Sequence, residues 1–324
     1  RPKVKSRWSL ALSSCPSGCH VQRMNMAKTE PFYIVGPTGS GKSAVALALA
    51  ERWHGEIINA DAFQVYCGMP IVTAGPTPEE TRCVPHHLYA TLALSEDYNV
   101  ARYERDAKLA IAKVHARGRR PIIVGGSGLY IKALTHGLGN APPAEPVLRN
   151  ALSQLLPEDK VAWLQHIDPL GAEQTNLLNP RYVSRALEIT LLSGIPMSVV
   201  KERWASEGPN KPCGVFLQWD RSALYQRINQ RVQGMVATGL LSEIKALPIN
   251  ISATASKAIG VREIKAHLKG NLSLEEAITQ IQQASRRFAK RQLSWFKRET
   301  VFLPTRMSSA TSIEELVQTL ANKE

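Results

Sequence analysis

The sequence predicts an α/β fold: a parallel sheet covered by helices and interrupted by a helical insertion. Three observations predict it. Short, uninterrupted apolar runs recur, as strands buried on both faces require. Helical segments rich in Ala and Leu alternate with them. The first apolar run passes directly into Gly36-Pro37-Thr38-Gly39-Ser40-Gly41-Lys42-Ser43, which matches G-x-x-x-x-G-K-[ST] and opens a helix. The class is therefore P-loop NTPase-like.

The elements follow in chain order. Phe32-Tyr33-Ile34-Val35 is the first strand, and Gly36 ends it. A helix runs from Lys42 to about Trp53. Glu56-Ile57-Ile58-Asn59-Ala60 is a second strand, ending at Asp61. Residues 99–117 read as a helix, with Ala101, Ala107, Ala110, Ile111 and Val114 among its small and apolar positions. Pro121-Ile122-Ile123-Val124 is a third strand, stopped by Gly125-Gly126. Val215-Phe216-Leu217-Gln218-Trp219 is a fourth and Val301-Phe302-Leu303 a fifth. The proline-rich stretch from Asn140 to Pro146 breaks the alternation. Helical segments near 147–156, 158–166 and 181–193 follow it, with no strand until 215. We therefore expect a helical insertion at 141–200, a discontinuous core at 29–140 and 201–306, and a tail at 307–324.

Composition bounds the rest. The chain has 324 residues, 44% hydrophobic and 21% charged, which excludes a disordered, collagen-like or coiled-coil chain. No apolar run reaches the roughly 18 residues of a membrane helix. Five cysteines, an odd count, argue against a disulfide framework and for a reducing, cytoplasmic setting. Cys15, Cys19 and His20 lack a second ligand pair for zinc. The net charge is +13, and an excess of this size points to a polyanionic partner. Arg1, Lys3, Lys5, Arg7, Arg23 and Lys28 contribute six of those charges, with no acid before residue 29. Residues 1–28 read as a basic, disordered extension, with Met24 or Met26 as the natural start; their acid-free composition is also compatible with an organelle transit peptide. Their apolar stretch, Trp8 to Leu12, is too short for a secretory signal.

Two features carry chemistry. In the loop, glycines let backbone N–H groups converge on one anion, and the helix N-terminus adds about half a positive charge. Lys42 supplies a full charge, and the Ser43 hydroxyl can hold Mg²⁺. Nucleotide hydrolases of this fold place an Asp at the end of another strand. Here the third strand ends in glycines, and Asp61 is the acid that ends a strand. Either Asp61 does the metal work, or the chemistry is not nucleotide hydrolysis; what the loop recognises is a diphosphate or triphosphate. The second feature is Arg286, Arg287, Lys290, Arg291, Lys297 and Arg298, with no acid among them. On a helix these six fall within about 140° of arc, opposite Phe288, Ala289, Leu293, Trp295 and Phe296. Such a stripe suits contact with a phosphate backbone. His86-His87 is a poor chelating pair, because neighbours in a strand point to opposite faces.

A series of segments then resembles one family. The loop is followed by Asp61-Ala62-Phe63-Gln64-Val65-Tyr66, Thr73-Ala74-Gly75-Pro76 and Val84-Pro85-His86-His87-Leu88. Next come Gly125-Gly126-Ser127-Gly128-Leu129-Tyr130, Ser184-Arg185-Ala186-Leu187-Glu188 and Ser193-Gly194-Ile195-Pro196-Met197-Ser198. Ala258-Ile259-Gly260-Val261-Arg262-Glu263 and Arg286-Arg287-Phe288-Ala289-Lys290-Arg291-Gln292-Leu293-Ser294-Trp295-Phe296 close it. In this order, over about residues 31–303, the chain is similar to the bacterial tRNA dimethylallyltransferases (tRNA isopentenyltransferases).

The resemblance implies transfer of a five-carbon group from dimethylallyl diphosphate to N6 of an adenine beside the tRNA anticodon, with Mg²⁺ as cofactor. It implies Asp61 as general base, with Lys42 and Arg227 acting on the departing diphosphate. Gly36, Thr38, Gly39, Ser40, Gly41, Ser43 and Ser127 complete the diphosphate site, and Ser43 is the metal ligand. Thr38 and Gln64 would orient the amine or the target base. The six cations and the insertion would hold the anticodon stem-loop of the tRNA. A monomer is expected, with no membrane partner. Rival readings are a prenyltransferase of free adenine nucleotides, a small-metabolite kinase and a non-catalytic RNA-binding protein. The family usually carries Lys where Gly75 stands, Arg at Tyr182 and Tyr at Val261, and two polar residues at Leu178-Asn179. These departures bear on RNA affinity more than on chemistry.

Overall fold

A computed structural model describes residues 30–139, 141–200 and 212–322. The extension predicted at 1–28, with Cys15, Cys19 and His20, lies outside them, as does 201–211 of the predicted core. Six strands, β1 (Phe32–Val35), β2 (Gly55–Asn59), β3 (His86–His87), β4 (Arg120–Gly125), β5 (Cys213–Trp219) and β6 (Leu303–Met307), form one sheet. Their order is β3-β2-β4-β1-β5-β6, and every pairing is parallel.

The helices, in chain order, begin with α1 (Lys42–Trp53), α2 (Pro70–Thr73), α3 (Pro78–Cys83), α4 (Val100–Ala116) and α5 (Gly128–His136). Then come α6 (Pro146–Gln154), α7 (Pro157–Ile167), α8 (Pro169–Glu173) and α9 (Pro180–Ser193). After β5 follow α10 (Arg221–Ala237), α11 (Leu240–Lys245), α12 (Val261–Leu268) and α13 (Leu274–Phe296), and after β6 comes α14 (Ile313–Ala321).

Alternation along the strands explains the unbroken apolar runs. Tyr33, Val35, Ile58, Ile123 and Phe216 face one core with Tyr103 and Phe296. Phe32, Ile34, Ile57, Ile122, Val124 and Leu217 face the other, against Val45 and Leu49 of α1. Each such side chain contributes about 1.5–3 kcal/mol when fully buried. The predicted tail supplies part of this second layer, since Val317 and Leu320 of α14 are buried there. β4 must end in glycine: a Cβ on Gly125 would lie 2.1 Å from the Ala60 carbonyl oxygen.

The fifth strand is displaced from its predicted place. β6 begins at Leu303, and Val301 and Phe302 belong to the turn before it. Phe302 is apolar because it packs against Tyr33 and Phe296, not because it is in the sheet. β6 itself is largely exposed and contains Pro304, both tolerable at a sheet edge.

Helices α6–α9 fill the stretch where the insertion was expected, around their own core of Leu152, Leu164, Val183, Ala186 and Leu187. Glu188 is buried there and ties the entry of the segment to α9. It accepts from Arg149 Nε (3.0 Å), Arg185 Nη1 (2.6 Å) and the Glu145 amide (2.9 Å). Burial opposes its charge, but the hydrogen bonds from Arg185 and Arg149 outweigh that and hold the carboxyl below its ordinary range. The histidine pair is structural. His86 Nδ1 lies 2.8 Å from the Val84 carbonyl, and His87 Nε2 lies 2.5 Å from Glu56, which Arg117 also clamps. Among the described residues, no group of three or more His, Cys, Asp or Glu is arranged to hold a metal.

Candidate active site

The carboxyl ends of β1, β2 and β4 open onto one crevice, where ligands of open α/β sheets bind. The loop after β1 enters α1 through Gly41, whose φ of 89° suits glycine. Lys42 Nζ donates to the Pro37 carbonyl at 2.8 Å. Burial pushes its ammonium down to about 7; attraction to Asp61 opposes the shift and repulsion from Arg231 adds to it. Ser40 is wholly buried, and its hydroxyl has no partner among the described residues. Its carbonyl accepts from Trp219 Nε1 at 2.9 Å.

Asp61 sits where β2 ends, fixed by its neighbours. The Asn59 side chain accepts from the Asp61 amide (2.7 Å) and donates to the Asp61 carbonyl (3.0 Å). Asp61 Oδ1 accepts from the Phe63 amide at 2.9 Å. Gln64 lies one turn on, its amide donating to the carbonyls of Thr73 (3.1 Å) and Ala74 (2.7 Å).

Helix α10 brings two arginines against the loop. Arg227 Nε donates to the Gly39 carbonyl at 2.8 Å, and its guanidinium lies 4.3 Å from the Trp219 ring centroid. With Gly39, Gly41, Lys42 and Ser43 it lines a hollow of about 410 Å³. One helical turn later, Arg231 Nη1 donates to Thr38 Oγ1 at 3.1 Å. Burial lowers the pKa of Arg231, and Asp61 pulls it partly back.

These groups share a cavity of about 210 Å³. Thr38, Lys42, Ser43, Asp61, Gln64 and Arg231 are among its polar lining residues, and Val72, Ile228, Val232, Met235, Ile281 and Phe288 among its apolar ones. Two members of the site escaped the sequence reading. Arg231 was legible as the i+4 partner of Arg227 on one helix face. Gln292 lay within a quoted motif but was hidden among cations. It is buried, accepts from the Thr38 amide (2.8 Å) and donates to the Gly126 carbonyl (2.9 Å). The backbone N–H of Thr38 is thus engaged within the protein, as is its hydroxyl.

Ser127 stands apart from the cavity-lining residues. Its hydroxyl accepts from the Ala62 amide at 3.2 Å, so it steadies the turn that carries Asp61. Gly36, with φ 152°, turns the chain out of β1.

The cationic stripe is less uniform than its helical wheel. Helix α13 ends at Phe296, so Lys297 caps it and Arg298 lies beyond, its Nε donating to the Ser294 carbonyl at 3.2 Å. Arg286 faces α10, donating to Asn229 Oδ1 at 2.6 Å beside the Tyr225 ring. Arg287, Lys290 and Arg291 are exposed. Phe288 is only half-buried and lines the cavity, because α10 takes the opposite flank of α13. Lys290 and Lys297 also line a groove of about 670 Å³ with Trp219, Arg221, Tyr225 and Arg306.

The departures separate by burial. Val261 is buried in the core behind α12, whereas Leu178 and Tyr182 are exposed on the inserted helices. Gly75 borders a further hollow of about 230 Å³ that shares Ser43 and Gln64 with the main cavity.

Comparison with known proteins agrees with this geometry. The family model described as IPP transferase matches residues 64–299. A tRNA dimethylallyltransferase of Geobacter metallireducens is 42% identical over 284 residues, covering 84% of this chain and 91% of that protein. The tRNA dimethylallyltransferase of Akkermansia muciniphila is 41% identical over 268 residues, covering 83% and 90%. Among solved structures, the tRNA isopentenylpyrophosphate transferase of Bacillus halodurans superposes with a TM-score of 0.66 at 37% identity, covering 91% of this chain and 96% of that one. A eukaryotic dimethylallyltransferase acting on tRNA gives 0.75 at 26% identity, covering 91% and 77%. With a family model matched along most of its length and relatives this similar, the chain belongs to the IPP transferase family.

Proposed function

We propose that this transferase moves a dimethylallyl group from dimethylallyl diphosphate to the N6 amine of an adenosine beside the tRNA anticodon, releasing diphosphate. The observation that carries the reading is one cavity that Lys42, Arg231 and Asp61 line together with Val232, Met235, Ile281 and Phe288. A donor with a charged diphosphate and a five-carbon hydrocarbon matches that combination. A nucleoside triphosphate does not call for an apolar lining of Val232, Met235, Ile281 and Phe288.

Lys42, Arg227, Arg231 and the amides at the start of α1 receive the diphosphate. The adenine amine is a weak nucleophile because its lone pair is delocalised into the ring. As the bond from N6 to the allylic carbon forms, the carbon–oxygen bond to diphosphate breaks and its electron pair leaves on the diphosphate. The amine proton passes to the Asp61 carboxylate, a contribution of about 10²–10⁴-fold for a positioned base. Preorganised cations at the loop stabilise the charge on the leaving group. Mg²⁺ fits the oxygen donors here: it binds few protein oxygens and completes its shell with phosphate and water. The Ser43 hydroxyl would hold it, and the ion would neutralise diphosphate charge.

Arg287, Lys290 and Arg291, with Arg286, Lys297 and Arg298 beside them, would contact the RNA backbone, and Gln64 the target base. The helices of 141–200 would form the facing wall. The target adenosine must leave its stack to reach the cavity. We read the enzyme as a cytoplasmic monomer; no helix among the described residues is long and apolar enough to cross a membrane.

The test is incubation with Mg²⁺, labelled dimethylallyl diphosphate and either unmodified tRNA or AMP. Label in tRNA is the expected result. Label in AMP alone would establish the free-nucleotide reaction instead, and ATP consumption against small alcohols without prenyl transfer would establish a kinase.

A further inference from the structure

Glu243 lies on α11, outside the cavity, and its carboxylate does one conspicuous thing. Oε2 accepts from the Ile71 amide at 2.7 Å, and Oε1 accepts from the Val72 amide at 2.8 Å. These amides open α2, a four-residue helix whose N-cap, Met69, makes no side-chain hydrogen bond. The first amides of a helix have no partner within it, and so short a helix does not sustain itself. At the other end, the carbonyls of Thr73 and Ala74 accept both hydrogens of the Gln64 amide, at 3.1 and 2.7 Å. Helix α2 is therefore held by a carboxylate at its N-terminus and a carboxamide at its C-terminus. Val72, Thr73 and Ala74 line the cavity as they pass between the two.

With both N–H groups committed, the Gln64 side chain has one orientation, and its oxygen is the remaining polar atom it can turn to a ligand. We infer that Glu243 is a positioning residue for the transfer: through α2 it fixes the Gln64 amide, so that the Gln64 oxygen accepts a hydrogen of the target adenine amine while Asp61 takes the other. The inference rests on the proposed prenyl transfer to an adenine amine. Leu240 and Ile244, buried on either side of Glu243, anchor α11 independently, so removing the carboxylate releases α2 and leaves α11 in place. The half-buried carboxylate, raised above its ordinary range by burial, has these two amides as its hydrogen-bond partners among the described residues.

The experiment is a double-mutant cycle of Glu243→Ala and Gln64→Ala, read by transfer of label from dimethylallyl diphosphate to tRNA. It is paired with NMR of the Gln64 side-chain amide in ¹⁵N-labelled protein. Displacing a reacting group by about an ångström costs up to roughly 10²-fold, so Glu243→Ala should lower kcat about 10- to 100-fold with the donor KM within about twofold. Glu243→Gln, which keeps one acceptor oxygen, should lose less. In the Gln64→Ala background the Glu243→Ala loss should shrink to under about twofold, because coupled residues are not additive. The Gln64 amide signal should shift in Glu243→Ala. Equal losses in both backgrounds, or an unmoved signal, would overturn the inference. Should Glu243→Ala not fold, the same cycle with Glu243→Gln decides. If the wild-type protein makes no labelled tRNA, the prenyl-transfer reading has failed, and the NMR signal still tests whether Glu243 fixes Gln64.

Discussion

Lys42 should take up a proton when diphosphate binds. Burial within the loop, next to Arg231, holds its ammonium at about 7, against an ordinary value of about 10.4. Only the cation is useful to an anionic ligand, and a diphosphate against Nζ restores the charged form. At pH 8 about a tenth of the free protein carries the proton, so binding should take up about 0.9 proton per site. Above pH 7 the complex holds more protons than the free protein, so affinity falls as pH rises. Between pH 7 and pH 9 the donor should bind about 50-fold more weakly. The assay is titration calorimetry of diphosphate or donor in buffers of differing ionisation enthalpy, with Lys42→Met as control. The variant should bind weakly at all pH values and take up no proton. Zero uptake by the wild-type protein at pH 8, or the same uptake by Lys42→Met, would refute the reasoning. Folding should carry the opposite sign: the unfolded chain holds more protons between about 7 and 10.4, so this lysine's destabilising contribution fades as pH rises through that window.

Four other outcomes are expected. Asp61→Asn keeps an oxygen for the Phe63 amide, so the turn survives; transfer should fall about 10²–10⁴-fold while tRNA Kd stays nearly constant, and equal loss of both would make Asp61 structural. Replacing Arg287, Lys290 and Arg291 together by Ala should reduce the slope of log K against log salt by about 2, at roughly 0.7 per single-strand phosphate contact; an unchanged slope in filter binding would remove this face from the interface. Gly125→Ala drives a Cβ to 2.1 Å from the Ala60 carbonyl, and overpacking of this kind costs about 1–3 kcal/mol, to be read by denaturant unfolding. Gly75→Lys meets nothing closer than 3.7 Å, so thermal unfolding should be unaltered and the KM for tRNA should fall at low salt; an unchanged KM would mean that a cation at this position does not reach the RNA.

The core was legible because each central strand is buried on both faces and nothing polar interrupts it. That rule weakens at the sheet edge. β6 contains Pro304, Thr305 and Arg306, whose polarity reads as loop, while the apolar Phe302 reads as strand although it packs below the sheet. The place of the glycine-rich loop between β1 and α1 was legible, since its backbone puts Gly36, Gly39 and Gly41 at positive φ. The partners of Thr38 were not legible: its side chain and amide are engaged by Arg231 and Gln292, 193 and 254 residues away in sequence. No local pattern encodes such partners. The partner of His87, Glu56, could be found only once β2 and β3 were adjacent.

Helix α13 spans both of the proposed anion sites. Its exposed side carries Arg287, Lys290 and Arg291. Its inner side puts Phe288 into the apolar lining of the cavity and Gln292 between the loop and the end of β4. Gln292 is one residue from Arg291 and one turn from Phe288, so in the proposed reaction RNA on these cations would contact the same helix that fixes Thr38 at the loop. A long helix transmits displacement along its length more readily than a loop does. In the proposed reaction a polyanion on one face and a diphosphate on the other would therefore bear on one element. The charge of the chain divides in the same way: Arg287, Lys290 and Arg291 lie on the exposed side of α13, whereas Lys42 and Arg231 line the cavity and Arg227 lines the hollow beside it.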